Sequence, residues 1–137
     1  MKLCSACLLG IKCRYDGGDK ANEKVLELAK KEKLIPVCPE QLGGLSTPRE
    51  QTELRGDRVV TKSGLDVTDI FEKGAEQVLK IVKDRGIKSV ILKQKSPSCG
   101  CGKIYDGTFS GAIIAGDGIT TKLLKENGVE VLTEENL

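Results

Sequence analysis

The sequence predicts an α/β fold: a small three-layer Rossmann-like or flavodoxin-like domain with a mainly parallel four-stranded sheet, and room beside it for a short β-hairpin. Three observations predict it. Apolar runs alternate with amphipathic stretches in the order strand, helix, strand, loop, helix, strand, loop, helix, strand, the alternation that buries a parallel sheet between helices. Within Ser89–Leu92 the run Val90-Ile91-Leu92 has no polar face, as a strand covered on both sides requires. Finally, 39% hydrophobic residues with two Phe, two Tyr and no Trp among 137 describe one aliphatic core that needs no disulfide staples.

Lys2 to Ala6 opens the chain as a strand and stops in the loop Gly10 to Lys20, where Arg14-Tyr15-Asp16-Gly17-Gly18 is a strong turn signal. Asn22 is placed to cap a helix running through Lys33, with Val25, Leu26, Leu28 and Ala29 on its apolar face. Leu34 to Val37 reads as the second strand. From Cys38 to Gly56 the chain is rich in Gly, Pro and Thr, and reads as an irregular loop of a length usual for functional segments. Arg58 to Thr61, facing Leu54 across Gly56-Asp57, supplies the hairpin. A helix spans Thr68 to Arg85, with Ile70, Phe71, Ala75, Val78, Leu79 and Val82 at helical spacing and Gly86 as its stop. After the strand Ser89–Leu92 comes a second long loop, Lys93 to Gly118, then a helix from Ile119 to Asn127 closed by Gly128, and a last strand from Val129 to Leu132. No repeat, linker or low-complexity stretch interrupts the chain, so residues 1–137 are expected to form a single domain.

Lys and Arg total 22 against 20 Asp and Glu, with the signs interspersed, which argues against a DNA-binding or membrane-surface protein. So few aromatic residues also argue against a stacking platform for single-stranded nucleic acid. The N-terminus reaches charged and turn residues by Lys12 to Asp16, too soon for a secretory or membrane-spanning segment. The cytoplasm is therefore the expected compartment, where cysteines in short motifs are more often metal-binding or catalytic than disulfide-bonded.

Six cysteines and no histidine narrow the chemistry further. Any metal site must be built from thiolates and carboxylates, which suits zinc, an iron-sulfur cluster or copper(I). Right-handed crossovers put all strand C-termini on one edge. Cys7, Cys38 and Cys99 each follow a strand and converge there, where open α/β sheets bind ligands. Three thiolates could hold a 4Fe-4S cluster and leave one iron open, a Lewis acid with an affinity for sulfur. The competing metal site joins Cys4-x-x-Cys7 to Cys99-x-Cys101 as a closed four-thiolate zinc site. Cys4 otherwise reads as a buried, inert thiol, and Cys13 and Cys101 as bystanders or spare ligands in exposed loops.

Glu40, two residues after Cys38, is a candidate general base. Ser96-Pro97-Ser98-Cys99 reads as a capping serine, Pro at the first helical position and a cysteine whose thiolate the helix start favours. Ser96 and Ser98 are the proton-transfer candidates there. Arg14, Asp16, Arg49 and Lys93 are loop charges at the same edge, available to orient a polar substrate. The glycines from Gly100 to Gly116 match neither GxxxxGK[ST] nor a GxGxxG after a strand, so a standard phosphate loop is disfavoured.

In these motifs the chain resembles the TudS-like thiouracil desulfidase family. The resemblance runs through Ser5-Ala6-Cys7-Leu8-Leu9-Gly10, Cys13-Arg14-Tyr15-Asp16-Gly17, Val37-Cys38-Pro39-Glu40, Thr47-Pro48-Arg49, Lys93 to Gly100, and Tyr105-Asp106-Gly107-Thr108-Phe109-Ser110-Gly111, over essentially the full length. It implies a 4Fe-4S enzyme that removes sulfur from thiolated uracil without net redox change, giving uracil and hydrogen sulfide. Carried onto this chain, it makes Cys7, Cys38 and Cys99 the cluster ligands, with Glu40 and a serine, Ser96 in preference to Ser98, as proton-transfer groups. The partner implied is a small thiolated substrate. Cys4 and Cys101 occupy positions where the family needs no thiol. A non-catalytic zinc- or cluster-binding thiolate module and a sulfur-transfer protein are the alternative readings.

Overall fold

The computed structural model describes residues 1–137. The chain runs through β1 (Lys2–Ser5), a 3-10 turn (Ala6–Leu9), α1 (Glu23–Ala29), β2 (Leu34–Val37), α2 (Pro39–Leu42), β3 (Thr52–Arg55), β4 (Arg58–Thr61), α3 (Thr68–Arg85), β5 (Ser89–Leu92), β6 (Ile104–Tyr105), β7 (Ile113–Ile114), α4 (Ile119–Glu126) and β8 (Glu130–Thr133). Four of the strands make one wholly parallel sheet in the order β2-β1-β5-β8. From the central pair β1 and β5 the sheet grows outward in opposite directions, which makes the gap beyond their C-terminal ends its topological switch point.

Alternation along the strands sorts side chains into two cores. Leu3, Val90 and Leu92 face Val78, Val82 and Leu124 of α3 and α4, whereas Cys4 and Ile91 point the other way, toward Leu8 and Val25. The sheet is thus covered on both faces, and the expected three layers are present. A third cluster, Leu54, Val59, Phe71 and Ile104, fastens the antiparallel β3–β4 hairpin to the start of α3 and to β6. No helix is long and apolar enough to cross a membrane.

Five local readings of the sequence change. α1 is capped by Asn22 as expected, its Oδ1 accepting from the Val25 amide at 3.2 Å, but the helix ends at Ala29 instead of Lys33. The residues beyond it, Lys30-Lys31-Glu32-Lys33, offer no apolar contact to continue it, and Glu32 turns back to pair with Lys2 and the N-terminus. Leu26 is exposed, because the side of the helix that packs carries Val25 alone as a fully buried residue. The stretch from Cys38 to Gly56 is not wholly irregular: Pro39 at its first turn starts α2, and Thr52–Arg55 pairs with β4. The loop Lys93 to Gly118 contains β6 and β7, and the last strand begins one residue late because the Val129 amide bonds the Leu124 carbonyl.

α2 and α3 touch through glycine on both sides. A Cβ on Gly74 of α3 would overlap the Pro39 carbonyl oxygen, and one on Gly43, at the end of α2, would overlap that of Ile70. Backbone therefore meets backbone at α2, the element that carries Glu40 and is capped by Cys38. Gly74→Ala is expected to lower stability by about 1–3 kcal/mol, the usual cost of overpacking, read as a lower denaturation midpoint.

Candidate active site

Each element at the C-terminal edge delivers part of one cavity. Cys7 lies in the 3-10 turn that follows β1, Cys38 caps α2 at the end of β2, and Cys99 lies in the turn beyond β5. All three line a cavity of about 350 Å³ at the switch point, together with Cys13, Glu40 and Ser96. That volume falls in the range of small-molecule sites, about 300–1,000 Å³.

Cys13 is the main departure from the sequence reading. It is 4% exposed, where an exposed loop position was expected. The loop closes over it because its carbonyl oxygen accepts from the Cys38 thiol at 3.9 Å and the Thr47 hydroxyl at 3.5 Å. Nothing in its local sequence signals this closure, which depends on partners far along the chain. The Cys38 thiol pulls the Cys13 pKa down, but the Cys7 thiol and burial outweigh it and push the value up to about 11. Cys38 itself is pushed far above the ordinary thiol range by Cys13, by burial and by the Glu40 charge.

Cys99 occupies a turn, not a helix. Ser96 does cap it: its Oγ accepts from the amides of Ser98 at 3.0 Å and Cys99 at 3.1 Å. The segment closes after one turn, through the Gly100 amide bonding the Ser96 carbonyl at 2.9 Å, so no helix start lowers the Cys99 pKa. Burial, followed by the Glu40 charge, instead pushes the thiol up to about 12, against the opposing effect of the Ser5 and Ser98 hydroxyls. Ser5 sits between two strand ends. Its Oγ accepts from the Lys93 amide at 2.9 Å and donates to Cys99 Sγ at 3.8 Å.

The other expected residues divide between those inside and those outside the cavity. Arg14, Arg49 and Lys93 line it. Asp16 stands outside, accepting from the Gly18 amide and pairing with Arg14 at 3.5 Å. Ser98 is fully buried behind Cys99, its hydroxyl 2.8 Å from Thr120 Oγ1. Arg49 forms a short ion pair with Glu40 through Nη2 and Oε2, and the two side chains are only 7% and 17% exposed. Glu40 also lines the cavity. Lys93 is paired with Glu134 at 2.8 Å. Tyr15, Lys20, Gln51, Lys95 and Tyr105 complete much of the wall and were not singled out from sequence.

The thiols suit a cluster better than the zinc tetrad. Cys4 is fully buried among Val25, Leu8 and Ile91, and Cys101 directs its sulfur to the Val131 carbonyl, so Cys4, Cys7, Cys99 and Cys101 are not gathered. No three Cys, Asp or Glu side chains close on a point that would hold a single ion. Thiols spread around one cavity match a polynuclear group, whose ligands bind different irons, and soft sulfur donors are those an iron-sulfur cluster takes.

Thiols and a paired carboxylate are thus grouped at the switch point, the place where open α/β sheets bind ligands. The family model for 2-thiouracil desulfurase matches residues 3–136, and the chain belongs to that family. It is 46% identical to the uncharacterized protein YbbK of Bacillus subtilis (strain 168), over 100% of this chain and 97% of that one. Among solved structures it is similar to the 4Fe-4S-dependent thiouracil desulfidase TudS, with a TM-score of 0.92 and 46% identity over 98% of this chain and 90% of that one.

Proposed function

We infer that this protein is a 4Fe-4S-dependent desulfidase that removes sulfur from thiolated uracil, or a closely related thiolated compound, and releases sulfide without net redox change. The observation that carries the inference is the grouping of Cys7, Cys38 and Cys99 with Glu40 in one cavity at the switch point of a chain in this family. Bound through three cysteines, the cluster supplies a Lewis-acidic iron with affinity for sulfur.

The remaining work falls to the protein. Glu40, held by Arg49 in the cavity wall, accepts a proton from the attacking water. Ser96 already accepts two amide hydrogen bonds on its oxygen, so its own proton is free to point outward as a donor to the departing sulfur. The Ser98 hydroxyl, engaged with Thr120, is not placed to do this. Overall, a C=S bond is replaced by C=O, water supplies the oxygen, and its two protons leave with the sulfide. Arg14, Lys20, Lys93 and Lys95 also line the cavity, with Arg14 paired to Asp16, Lys93 to Glu134 and Lys95 to Glu135. Dependence on reduced thiols supports a cytoplasmic location.

The direct test is anaerobic reconstitution with iron and sulfide, removal of excess sulfide, and incubation with 2- or 4-thiouracil. Equimolar uracil and sulfide are expected. Protein with full iron content that forms neither would overturn the assignment.

A further inference from the structure

We propose that Tyr15 and Tyr105 are the specificity-determining walls of the cavity, which hold the flat face of the substrate ring. The proposal rests on the desulfidase reading and adds how the heterocycle is recognised. The chain has two Tyr, two Phe and no Trp. Phe71 is in the core, where the other large side chains are aliphatic, yet both tyrosines line the cavity and are half-buried. Packing does not call for them there, since the two cores that enclose the sheet are built without aromatic residues.

The two rings come from distant parts of the chain and are held by one segment, Arg49 to Arg55. The Arg49 amide donates to the Tyr15 carbonyl at 2.7 Å. On the other side, Glu53 accepts from the amides of Gly107 at 3.0 Å and Phe109 at 3.1 Å, and Arg55 donates to the Gly107 carbonyl at 3.2 and 2.8 Å. Glu53 is 2% exposed. A carboxylate so deeply buried is costly to desolvate and is stable here because it holds this turn. The turn directly follows Tyr105, the last residue of β6, and it is seated so closely that a Cβ on Gly107 would approach the Leu54 carbonyl oxygen to 2.7 Å. Both tyrosine backbones are thereby fixed relative to Glu40, whose partner Arg49 belongs to the same segment.

Arg14 lies over the Tyr15 ring, 5.4 Å from its centroid, and both side chains line the cavity. A pyrimidine ring offers a π-face to stack on such rings, and its N–H and C=O edges can bond phenol hydroxyls. Removing a stacking ring usually weakens binding of a base by about 5-fold to 100-fold.

The test uses reconstituted holoenzyme. Tyr105→Leu and Tyr15→Leu are expected to raise KM for thiouracil about tenfold or more, with kcat changed by less than about threefold, and to weaken uracil binding in equilibrium dialysis in parallel. Tyr105→Phe, which keeps the ring, should restore binding to within about threefold of the parent. Equal iron content in all variants shows that the site has formed. Unchanged KM and uracil affinity in both leucine variants, with sulfide still released, would overturn the stacking proposal alone. Absence of sulfide release and uracil binding in the parent holoenzyme would overturn both readings together.

Discussion

Glu40→Gln is expected to reduce sulfide release by about a hundredfold or more, the usual contribution of a positioned general base, while the protein still assembles its cluster. Gln keeps the length and shape of the side chain but cannot accept the proton. The substitution also removes the negative partner of Arg49, whose side chain is 7% exposed and otherwise bonds only the Ser46 carbonyl at 3.2 Å and the Thr47 hydroxyl at 2.9 Å. Leaving that guanidinium without its counter-charge costs stability, toward the lower end of the about 3–5 kcal/mol seen for broken buried pairs, since the pair borders a cavity. Single-turnover sulfide release and thermal unfolding of the same sample separate the two effects. An unimpaired rate in Glu40→Gln would place the base elsewhere.

Cys99→Ala is expected to abolish cluster incorporation, as are Cys7→Ala and Cys38→Ala, while Cys4→Ala and Cys101→Ala leave iron content unchanged. The informative variant is Cys13→Ala. Four thiols line the cavity and three are assigned as ligands, so loss of Cys13 should leave iron and acid-labile sulfide at the level of the parent protein. If Cys13→Ala loses its iron and one of the three assigned cysteines proves dispensable, the ligand set changes by that exchange. Iron and sulfide content after anaerobic reconstitution, with the visible absorption of the cluster, provides the measurement.

The parts of the fold that could be read from sequence were those with local causes. Val90-Ile91-Leu92 announced a central strand because both of its faces are covered, and Gly86 ended α3 because its φ of 62° suits a residue without a side chain. The placement of Cys7, Cys38 and Cys99 followed from strand order and the handedness of crossovers, which bring all three strand ends to one edge. Features that depend on closure over long distances were not legible. Cys13 looks like a loop cysteine until Thr47 and Cys38 bond its carbonyl, and the Glu40–Arg49 pair spans an irregular loop with no periodicity. Strands of two residues, as in β6 and β7, carry no alternation to detect. The turn at Ser96 has a true capping serine, yet it closes after one turn, with Gly118 packed so tightly that a Cβ there would lie 2.5 Å from the Ser98 carbonyl oxygen.

The contact of α2 with α3 through Gly43 and Gly74 bears on how this active site can drift in evolution. Because main chain rests on main chain, the depth at which Glu40 sits is set by the thickness of two helical backbones and not by the bulk of any side chain between them. Val78 and Val82, farther along α3, can then exchange for other aliphatic residues without moving the carboxylate. A single methyl at Gly74 would displace it. The protein is thus insulated against the commonest core replacements, with its sensitivity concentrated at two positions that carry no functional group.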